Sequence, residues 1–461
     1  MQNIYKETRL LDKRAVDKLL LTEEILVENA SMGLKQLIAK LSHQKSVIYI
    51  ICGGGNNGAD GLALARKLDG DYVVRVYMAS EPKTALCERE FFRAKNLGID
   101  FVNKLYACDV VVDCLYGSGF RGELNLQDQE LIATMNKMAR IKIACDMPSG
   151  LMQKESKSIF QAHHTAVMGA LKLDLFNEWA KDSVGEIHLI DLGISRKKYE
   201  ISSKIKLLEK EDLSLPYRFK KDTHKGDYGH LAILCKKTEK SRGGASILSA
   251  LSSIAFGVGL VSLVGEAENP PYSVMCSKEI PNNATALAMG MGLGEVNASD
   301  FEAAKLLPSV LDADVFYYAG LAEQLREMQK AILTPHIKEF THLLKVCGIA
   351  DLSVEEVKSN RFVWVEEFCS SYPHLVLVLK GSHTLIAQDQ SLYICPFGSN
   401  NLAKGGSGDI LSGMIASLLA QGYDPLDASI SGVLAHSMAS EKIQSSYGLN
   451  PLDLIEAVKY L

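Results

Sequence analysis

Short apolar runs alternate with amphipathic stretches along the chain, and several of the runs lead into glycines. A continuous apolar run is typical of a strand that is covered on both faces of a sheet. In the first half this pattern predicts strands at residues 46–52, 72–78, 109–116 and 141–145, and helices at 62–68 and 87–97. Strands that alternate with helices predict a doubly wound α/β sheet with parallel strands.

The second half restarts the same alternation with different motifs. It predicts strands at residues 229–235, 259–264, 285–291 and 375–379, and helices at 243–256 and 337–344. A charged segment around Pro216, residues 195–225, lies between the halves. We therefore predict two α/β domains, residues 1–205 and 206–461.

Composition and charge narrow the classes of protein that remain. The 461 residues are too many for one ordinary core, and they are 47% hydrophobic and 23% charged with a net charge of −5. Since no basic stripe is present, we expect no nucleic-acid partner. The amphipathic pattern of residues 1–20 predicts a helix rather than a signal peptide, and no apolar run is long enough for a bilayer.

The ten cysteines are scattered, without a C-x-x-C pair or zinc spacing. Several fall inside apolar runs, so we interpret them as buried, reduced residues of a cytoplasmic protein. Small cytoplasmic α/β enzymes are often symmetric oligomers, and we expect a homo-oligomer here.

Three predicted strands of the first half end in loops that combine glycine with aspartate. These loops are Gly53-Gly-Gly-Asn-Asn-Gly-Ala-Asp-Gly61, the segment 117–122 after Asp113, and Asp146-Met-Pro-Ser-Gly150. One such loop would be read as an ordinary tight turn. Because the carboxyl ends of parallel strands share one edge of a sheet, three together favour a binding site. The oxygens of Asn56, Asn57 and Asp60 could hold a cation or a ribose there.

Three of these segments, Gly55 to Gly61, Val111 to Gly119 and Asp146 to Gly150, together with Glu28-Asn-Ala30, resemble the NAD(P)H-hydrate epimerase domain, whose fold is Rossmann-like. That family inverts the hydroxyl-bearing carbon of the hydrated nicotinamide ring and carries a potassium ion. The resemblance implies Asp146 as acid or base, with Lys172 as a further catalytic candidate. It implies Asn57, Asp113 and Ser149 as K⁺ ligands. The implied substrate contacts are Asn56, Asn57, Gly58, Ala59, Asp60, Gly117, Ser118, Gly119, Phe120, Arg121, Gly122, Glu123 and Asp146.

The most informative stretch of the second half is Lys404-Gly-Gly-Ser-Gly-Asp-Ile-Leu-Ser-Gly413, which precedes an apolar helical run. Glycines at a helix N-terminus let the free N–H groups of the first turn approach an anion closely. A carboxylate beside such an anion hole suggests that Asp409 is a base that deprotonates an attacking hydroxyl. The alternative interpretation is that Asp409 caps the helix.

Further motifs of this half resemble the ADP-dependent or ATP-dependent NAD(P)H-hydrate dehydratase, a branch of the ribokinase-like fold. They are His224-Lys-Gly226, Gly243-Gly-Ala245, Gly290-Met-Gly-Leu-Gly294, Thr334-Pro-His336, Lys380-Gly-Ser-His-Thr384 and Gly405-Gly-Ser-Gly-Asp409. Two places depart from the family's pattern: Gly290-Met-Gly stands where Gly-Pro-Gly is usual, and Asp312-Ala-Asp314 is followed by Val-Phe-Tyr-Tyr instead of Ala-Leu-Asn. The resemblance implies that Ala245, Gly292, His336 and Asp409 meet the hydrated dinucleotide. It implies that Lys380, Gly381, Ser382, His383, Thr384 and Gly408 meet ADP or ATP, with Mg²⁺ accompanying the nucleotide.

Together the halves predict a bifunctional enzyme that repairs hydrated NADH or NADPH. One alternative is a small-molecule kinase for a vitamin or sugar, since such kinases share the glycine-rich loop and its aspartate. It would leave the first half as a non-catalytic interaction module.

Overall fold

The computed structural model describes residues 1–152, 158–237, 243–267 and 269–461. They divide into a first unit, Asn3–Ser203, and a second unit, Met1–Gln2 with Lys204–Leu461. No helix of the described residues is long and apolar enough to cross a membrane.

A parallel sheet of seven strands, in the order β4-β3-β2-β5-β6-β7-β9, forms the centre of the first unit. The order reverses between β2 and β5, so a crevice opens beyond their carboxyl ends. The strands of this half are β1 (Gln2–Tyr5), β2 (Val47–Cys52), β3 (Val73–Met78), β4 (Asp100–Phe101), β5 (Cys108–Cys114), β6 (Ala139–Cys145), β7 (His164–Met168), β8 (Leu171–Lys172) and β9 (Glu186–Ile190).

The helices of this half are α1 (Arg9–Leu19), α2 (Glu23–Leu41), α3 (Asn56–Leu68), α4 (Ala85–Asn96), α5 (Leu126–Met138), α6 (Lys181–Val184) and α7 (Arg196–Tyr199). Four of them, α2 to α5, pack on the sheet and bury its aliphatic side chains. The predicted doubly wound fold is confirmed. The predicted start of α3 is wrong by six residues, because Asn56 already begins the helix and only residues 53–55 form the loop.

The helix predicted for residues 1–20 is wrong at its beginning. Residues Gln2–Tyr5 form β1, which pairs in parallel with β8 through Ile4 with Leu171 and Tyr5 with Lys172. Ile4 is fully buried and Tyr5 is 8% exposed, so pairing as a strand buries side chains that a surface helix would expose.

The second unit has a sheet in the order β13-β12-β11-β14-β15-β16-β17-β18-β19-β10. Its strands from β13 to β17 are parallel, and β18 runs antiparallel to both of its neighbours. The strands are β10 (Ile205–Leu207), β11 (His230–Cys235), β12 (Leu260–Gly265), β13 (Met275–Ser277), β14 (Ala286–Met289), β15 (Ser309–Leu311), β16 (Ala331–Leu333), β17 (Val376–Leu379), β18 (Thr384–Gln388) and β19 (Ser391–Cys395).

Two helices of this unit, α8 and α13, pack closely at Gly413. A methyl group there would lie 2.3 Å from the carbonyl oxygen of Ser249, so only glycine allows this approach. The helices are α8 (Gly243–Ala255), α9 (Leu321–Glu327), α10 (Ile337–Val346), α11 (Val354–Ser359), α12 (Arg361–Ser371), α13 (Ser407–Ala420), α14 (Pro425–Glu441) and α15 (Pro451–Val458).

A substitution of Gly58 measures how tightly the loop after β2 packs against α3. A Cβ at Gly58 would lie 1.9 Å from the carbonyl oxygen of Gly53. We predict that Gly58→Ala lowers the free energy of unfolding by about 2 kcal/mol through this overlap, although helix propensity alone would favour alanine by about 1 kcal/mol. Gly55→Ala is the matched control because its Cβ would meet no atom within 4 Å. Urea unfolding of both variants measures the difference, and equal stabilities would contradict the prediction.

Candidate active sites

A cavity of 820 Å³ lies at the carboxyl ends of β2, β5 and β6 in the first unit. Most of the residues predicted for the epimerase site line it. They are Asn56, Asn57, Asp60, Gly117, Ser118, Gly119, Phe120, Arg121, Asp146 and Lys172. Gly58 and Ala59 are buried in α3, and the lining ends at Arg121, so Gly122 and Glu123 lie outside it.

Asp146 is held in a conformation that few non-glycine residues adopt. Its φ is +69°, its N–H donates to the carbonyl of Ala166 at 2.8 Å, and Lys172 forms an ion pair with its Oδ1. The N–H of Ser118 donates to its Oδ2 at 3.0 Å. Burial alone would raise the pKa of Asp146, but Lys172 and Ser118 outweigh it and lower the pKa below its ordinary value. Asp146 is therefore an ionised carboxylate held in a fixed position.

Asp60 has the opposite electrostatics although it lines the same cavity. Burial, followed by the negative charges of Asp146 and Asp12, raises its pKa well above the ordinary value. Asp12 comes from α1 and accepts a hydrogen bond from the Tyr199 hydroxyl at 2.6 Å. No local motif marks Asp12 or Tyr199, so neither residue was predicted from the sequence. The site thus combines an ionised carboxylate with a carboxyl group that favours its protonated form.

The three residues predicted to hold K⁺ lie around the start of the loop after β5. Asp113 accepts hydrogen bonds from the N–H and the hydroxyl of Ser149, both at 2.7 Å. Burial raises the pKa of Asp113 to about 6 despite these bonds. A Cβ at Gly117 would lie 3.3 Å from Cγ of Asn57, so the Asn57 amide adjoins this loop. Both polar atoms of that amide are buried and have no hydrogen-bond partner among the described residues.

In the second unit the predicted anion hole is the N-terminus of α13. Gly406, at φ +93°, is the N-cap residue, and Asp409 lies in the first turn of the helix. The interpretation of Asp409 as the cap is therefore wrong. The Ser249 hydroxyl on α8 donates to the carbonyl of Asp409 at 2.9 Å and to that of Ala245 at 3.1 Å. These two hydrogen bonds bring Ala245 next to the turn that carries Asp409.

Lys380 is the cation of this site. Its Nζ lies 2.8 Å from Oδ1 of Asp312 and 3.9 Å from Glu339, and a Cβ at Gly408 would be 3.3 Å from it. Burial would lower the pKa of Lys380, but Asp312 and Glu339 raise it above its ordinary value. The ammonium group therefore lies close to the first turn of α13 and stays charged.

Asp312 is a site residue that the sequence analysis missed. It follows β15, is 1% exposed, and its Oδ2 accepts a hydrogen bond from the Ser412 hydroxyl at 2.7 Å. That hydroxyl also lies 3.1 Å from Oγ1 of Thr334. The available signal was an aspartate directly after a buried strand, just before the residues that depart from the family's pattern.

The charges of Asp312 and Lys380 both act on the Asp409 carboxyl group. Burial, followed by the charge of Asp312, raises its pKa, while Lys380 lowers it, and the result is a pKa of about 6. A carboxylate with this pKa is mostly ionised at neutral pH and is a stronger base than an exposed aspartate.

The remaining predicted residues lie at the start of α10 and in or beside two loops of the second unit. His336 is the N-cap residue of α10, and its Nδ1 accepts hydrogen bonds from the N–H groups of Lys338 and Glu339 at 3.2 and 3.3 Å. Its backbone also forms an isolated parallel β-bridge with Lys380. Gly292 lies at φ +65° in the loop after β14. Gly381, Ser382 and His383 lie between β17 and β18, and Thr384 begins β18. The carbonyl of His383 accepts a hydrogen bond from the buried Arg361 at 3.1 Å.

Family models match both halves of the chain. Residues 23–173 match the YjeF-related protein N-terminus, and residues 238–460 match NAD(P)H-hydrate dehydratase.

Full-length relatives show the same combination. A Helicobacter pylori protein named bifunctional NAD(P)H-hydrate repair enzyme is 41% identical, and the match covers 100% of both chains. Proteins of the same name from Coxiella burnetii and Escherichia coli are 32% and 28% identical and match over 96% and 95% of this chain, and over 95% and 88% of their own.

Among solved structures, the ADP/ATP-dependent NAD(P)H-hydrate dehydratase of Bacillus subtilis, co-crystallised with ATP and Mg²⁺, is 24% identical. It matches with a TM-score of 0.47 over 56% of this chain and 98% of its own.

The full-length relative and the two family models confirm the resemblance that the motifs predict. The chain belongs to the family of bifunctional NAD(P)H-hydrate repair enzymes.

Proposed function

We propose that the first unit interconverts the R and S hydrates of NADH or NADPH, and that the second unit dehydrates the S hydrate with ADP or ATP as phosphoryl donor. The observation that carries the dehydratase assignment is Asp409, with its pKa of about 6, in the first turn of α13 beside the Lys380 ammonium. A base, an anion hole and a cation then lie where a phosphoryl group would be transferred.

The proposed epimerase step uses the contrast between Asp146 and Asp60. Inversion of the hydroxyl-bearing carbon requires one group that accepts a proton and another that donates one. Asp146 has a lowered pKa and serves as the base, while the raised pKa of Asp60 suits a donor. Lys172 keeps Asp146 ionised and can itself donate a hydrogen bond to the hydroxyl oxygen of the hydrated nicotinamide ring. Asn56 and the segment Gly117 to Arg121, which line the same cavity, would contact the rest of the dinucleotide.

A potassium ion would be held by oxygens of Asn57, Asp113 and Ser149. The fit rests on the Asn57 carbonyl oxygen, which is buried without a partner among the described residues, and on the hydrogen-bonded Asp113 carboxylate and Ser149 hydroxyl. Hard cations prefer such oxygen ligands. When bound, the ion would supply positive charge close to the anionic dinucleotide.

The proposed dehydration replaces hydroxide, which is a poor leaving group, with phosphate, which is a better one. Asp409 removes the proton of the ring hydroxyl, and that oxygen takes the terminal phosphoryl group of the nucleotide. The first-turn N–H groups of α13 and the Lys380 ammonium stabilise the charge on the phosphoryl oxygens during transfer. Phosphate then leaves as the C–O bond breaks, and a proton lost from the neighbouring carbon restores the ring's conjugation. Mg²⁺ would accompany the nucleotide and neutralise part of its charge.

The remaining assignments rest on the resemblance of their motifs to the dehydratase family. Ala245, Gly292 and His336 would contact the hydrated ring and its dinucleotide. The hairpin residues Gly381, Ser382, His383 and Thr384, with Gly408, would contact the adenine nucleotide. Since one epimer is the substrate of the dehydratase, an epimerase on the same chain would supply it from the other epimer.

Asp409→Asn removes the proposed base while keeping the side chain's size. We predict that nucleotide-dependent recovery of NADH from the pure S hydrate falls about a hundredfold or more. Asp427→Asn is the matched control, because Asp427 is an exposed first-turn carboxylate on α14. An Asp409→Asn variant with the activity of this control would refute the assignment.

The pH profile of the unmodified chain checks the same group. Because the base must be ionised, we predict that kcat/KM of dehydration falls about tenfold per pH unit below the Asp409 pKa of about 6 and is level above it. A profile that stays level to pH 5 would contradict this role.

Lys172→Met tests the epimerase pair. Without the ammonium, Asp146 loses the ion pair that holds it in place and keeps it ionised. We therefore predict that interconversion of R and S hydrates, followed by chromatography without nucleotide, slows about a hundredfold. Dehydration of the pure S hydrate should be unchanged. Lys35→Met, which removes an exposed ion pair with Asp71, is the control. Loss of both activities together would indicate a folding defect and not the proposed role.

Asn57→Ala tests the potassium site without an activity assay. We predict that KCl raises the thermal midpoint of the unmodified chain above its value in LiCl of equal ionic strength, since an ion that binds only the folded state stabilises it. This difference should vanish in Asn57→Ala and persist in Asn56→Ala, because Asn56 is exposed. A difference that survives in Asn57→Ala would place the ion elsewhere.

A further inference from the structure

A cluster of two histidines and one glutamate lies on the first unit's sheet, outside both proposed active sites. His164 begins β7, and Glu186 and His188 lie on the neighbouring edge strand β9. The register pairs His164 with Glu186 and Ala166 with His188. Because residues two apart on a strand share a face, Glu186 and His188 point to the same side of the sheet.

The donor atoms of the cluster converge. Nδ1 of His164 lies 3.1 Å from Nε2 of His188. The carboxylate of Glu186 lies 3.5 Å from the first nitrogen and 3.7 Å from the second. In a tetrahedral site with ligand distances of about 2.0–2.1 Å, neighbouring ligand atoms are about 3.3 Å apart. The three side chains already have that spacing, so an ion could bind with only small movements.

Exposure allows an ion to enter and leave from solvent. The side chains of His164, His188 and Glu186 are 18%, 25% and 68% exposed. The histidines are thus fixed against the sheet, while the glutamate can adjust. Two imidazoles and one carboxylate form a ligand set that Zn²⁺ and its neighbours Co²⁺ and Ni²⁺ accept, with a further position left for water.

The position of the cluster separates it from the epimerase cavity. His164 and Glu186 stand at the amino ends of parallel strands, whereas Asp146 follows the carboxyl end of β6. Because the strands are parallel, their amino ends and their carboxyl ends lie on opposite sides of the sheet along the strand direction. An ion bound at the cluster would therefore not touch the substrate, and it would link the edge strand β9 to β7.

We propose that His164, His188 and Glu186 bind one divalent transition-metal ion of the Zn²⁺ class, which ties the edge strand to the sheet and stabilises the folded chain. Binding to the folded state alone raises stability by mass action. Without metal the two imidazole nitrogens share a hydrogen bond, and the ion replaces its proton.

Calorimetric titration of the full chain with Zn²⁺ tests the site, and the Co²⁺ absorption spectrum reports its geometry. Both are done in a Cys276→Ser background, because Cys276 is an exposed cysteine and thiolates in general bind Zn²⁺. We expect one saturable equivalent and a rise of several degrees in the thermal midpoint. We expect the dissociation constant to rise at least about a hundredfold in His188→Gln and at least about tenfold in Glu186→Gln. His43→Gln changes an exposed histidine elsewhere in the unit and should bind as the parent does.

The exposed Glu186 keeps the test informative if His188→Gln fails to fold, since Glu186→Gln alters no buried group. The proposal is overturned if the parent shows no stoichiometric equivalent, or if Glu186→Gln binds Zn²⁺ with the parent's affinity. A loss of binding in His43→Gln equal to that in Glu186→Gln would overturn it as well.

Discussion

A lysine ammonium paired with an aspartate at the edge of a mainly parallel sheet organises the proposed site of each unit. Lys172 pairs with Asp146 in the first unit, and Lys380 pairs with Asp312 in the second. Burying either partner alone would be very unfavourable, so each pair persists only because both members are present and further hydrogen bonds complete their coordination. The pair fixes one ionised carboxylate in place. Nearby carboxyl groups then experience both desolvation and that negative charge.

This arrangement shifts the pKa of carboxyl groups in both sites. In the first unit the pKa of Asp146 is lowered and that of Asp60 is raised, although both line one cavity. In the second unit burial and Asp312 raise the pKa of Asp409 to about 6, with Lys380 limiting the rise. A group that is ionised near neutral pH yet basic enough to take a proton from a hydroxyl is what the proposed phosphoryl transfer requires.

Much of this could be predicted from the sequence, because the signals are local. Apolar runs located β2, β3, β5 and β6, and glycine-rich loops at their ends located the cavity residues Asn57 and Asp146. Asp312 and Asp12 were missed, since their importance comes from partners far away in the chain, Lys380 and Tyr199. The start of α3 was not predicted because glycine has a low helix propensity. Gly58 nevertheless lies in the first turns of α3, where its missing side chain allows the Gly53 carbonyl to approach closely. Raised pKa values depend on desolvation, which only the folded chain defines.

The most direct test of the bifunctional assignment follows absorbance at the reduced-nicotinamide band with purified chain, a mixture of both hydrate epimers, and ADP, ATP or no nucleotide in parallel. We expect both epimers to be converted to the reduced dinucleotide when a nucleotide is present, and no reduced dinucleotide to be recovered without one. Recovery that stops when the S epimer is spent would contradict the epimerase assignment, and recovery without a nucleotide would contradict the dehydratase mechanism.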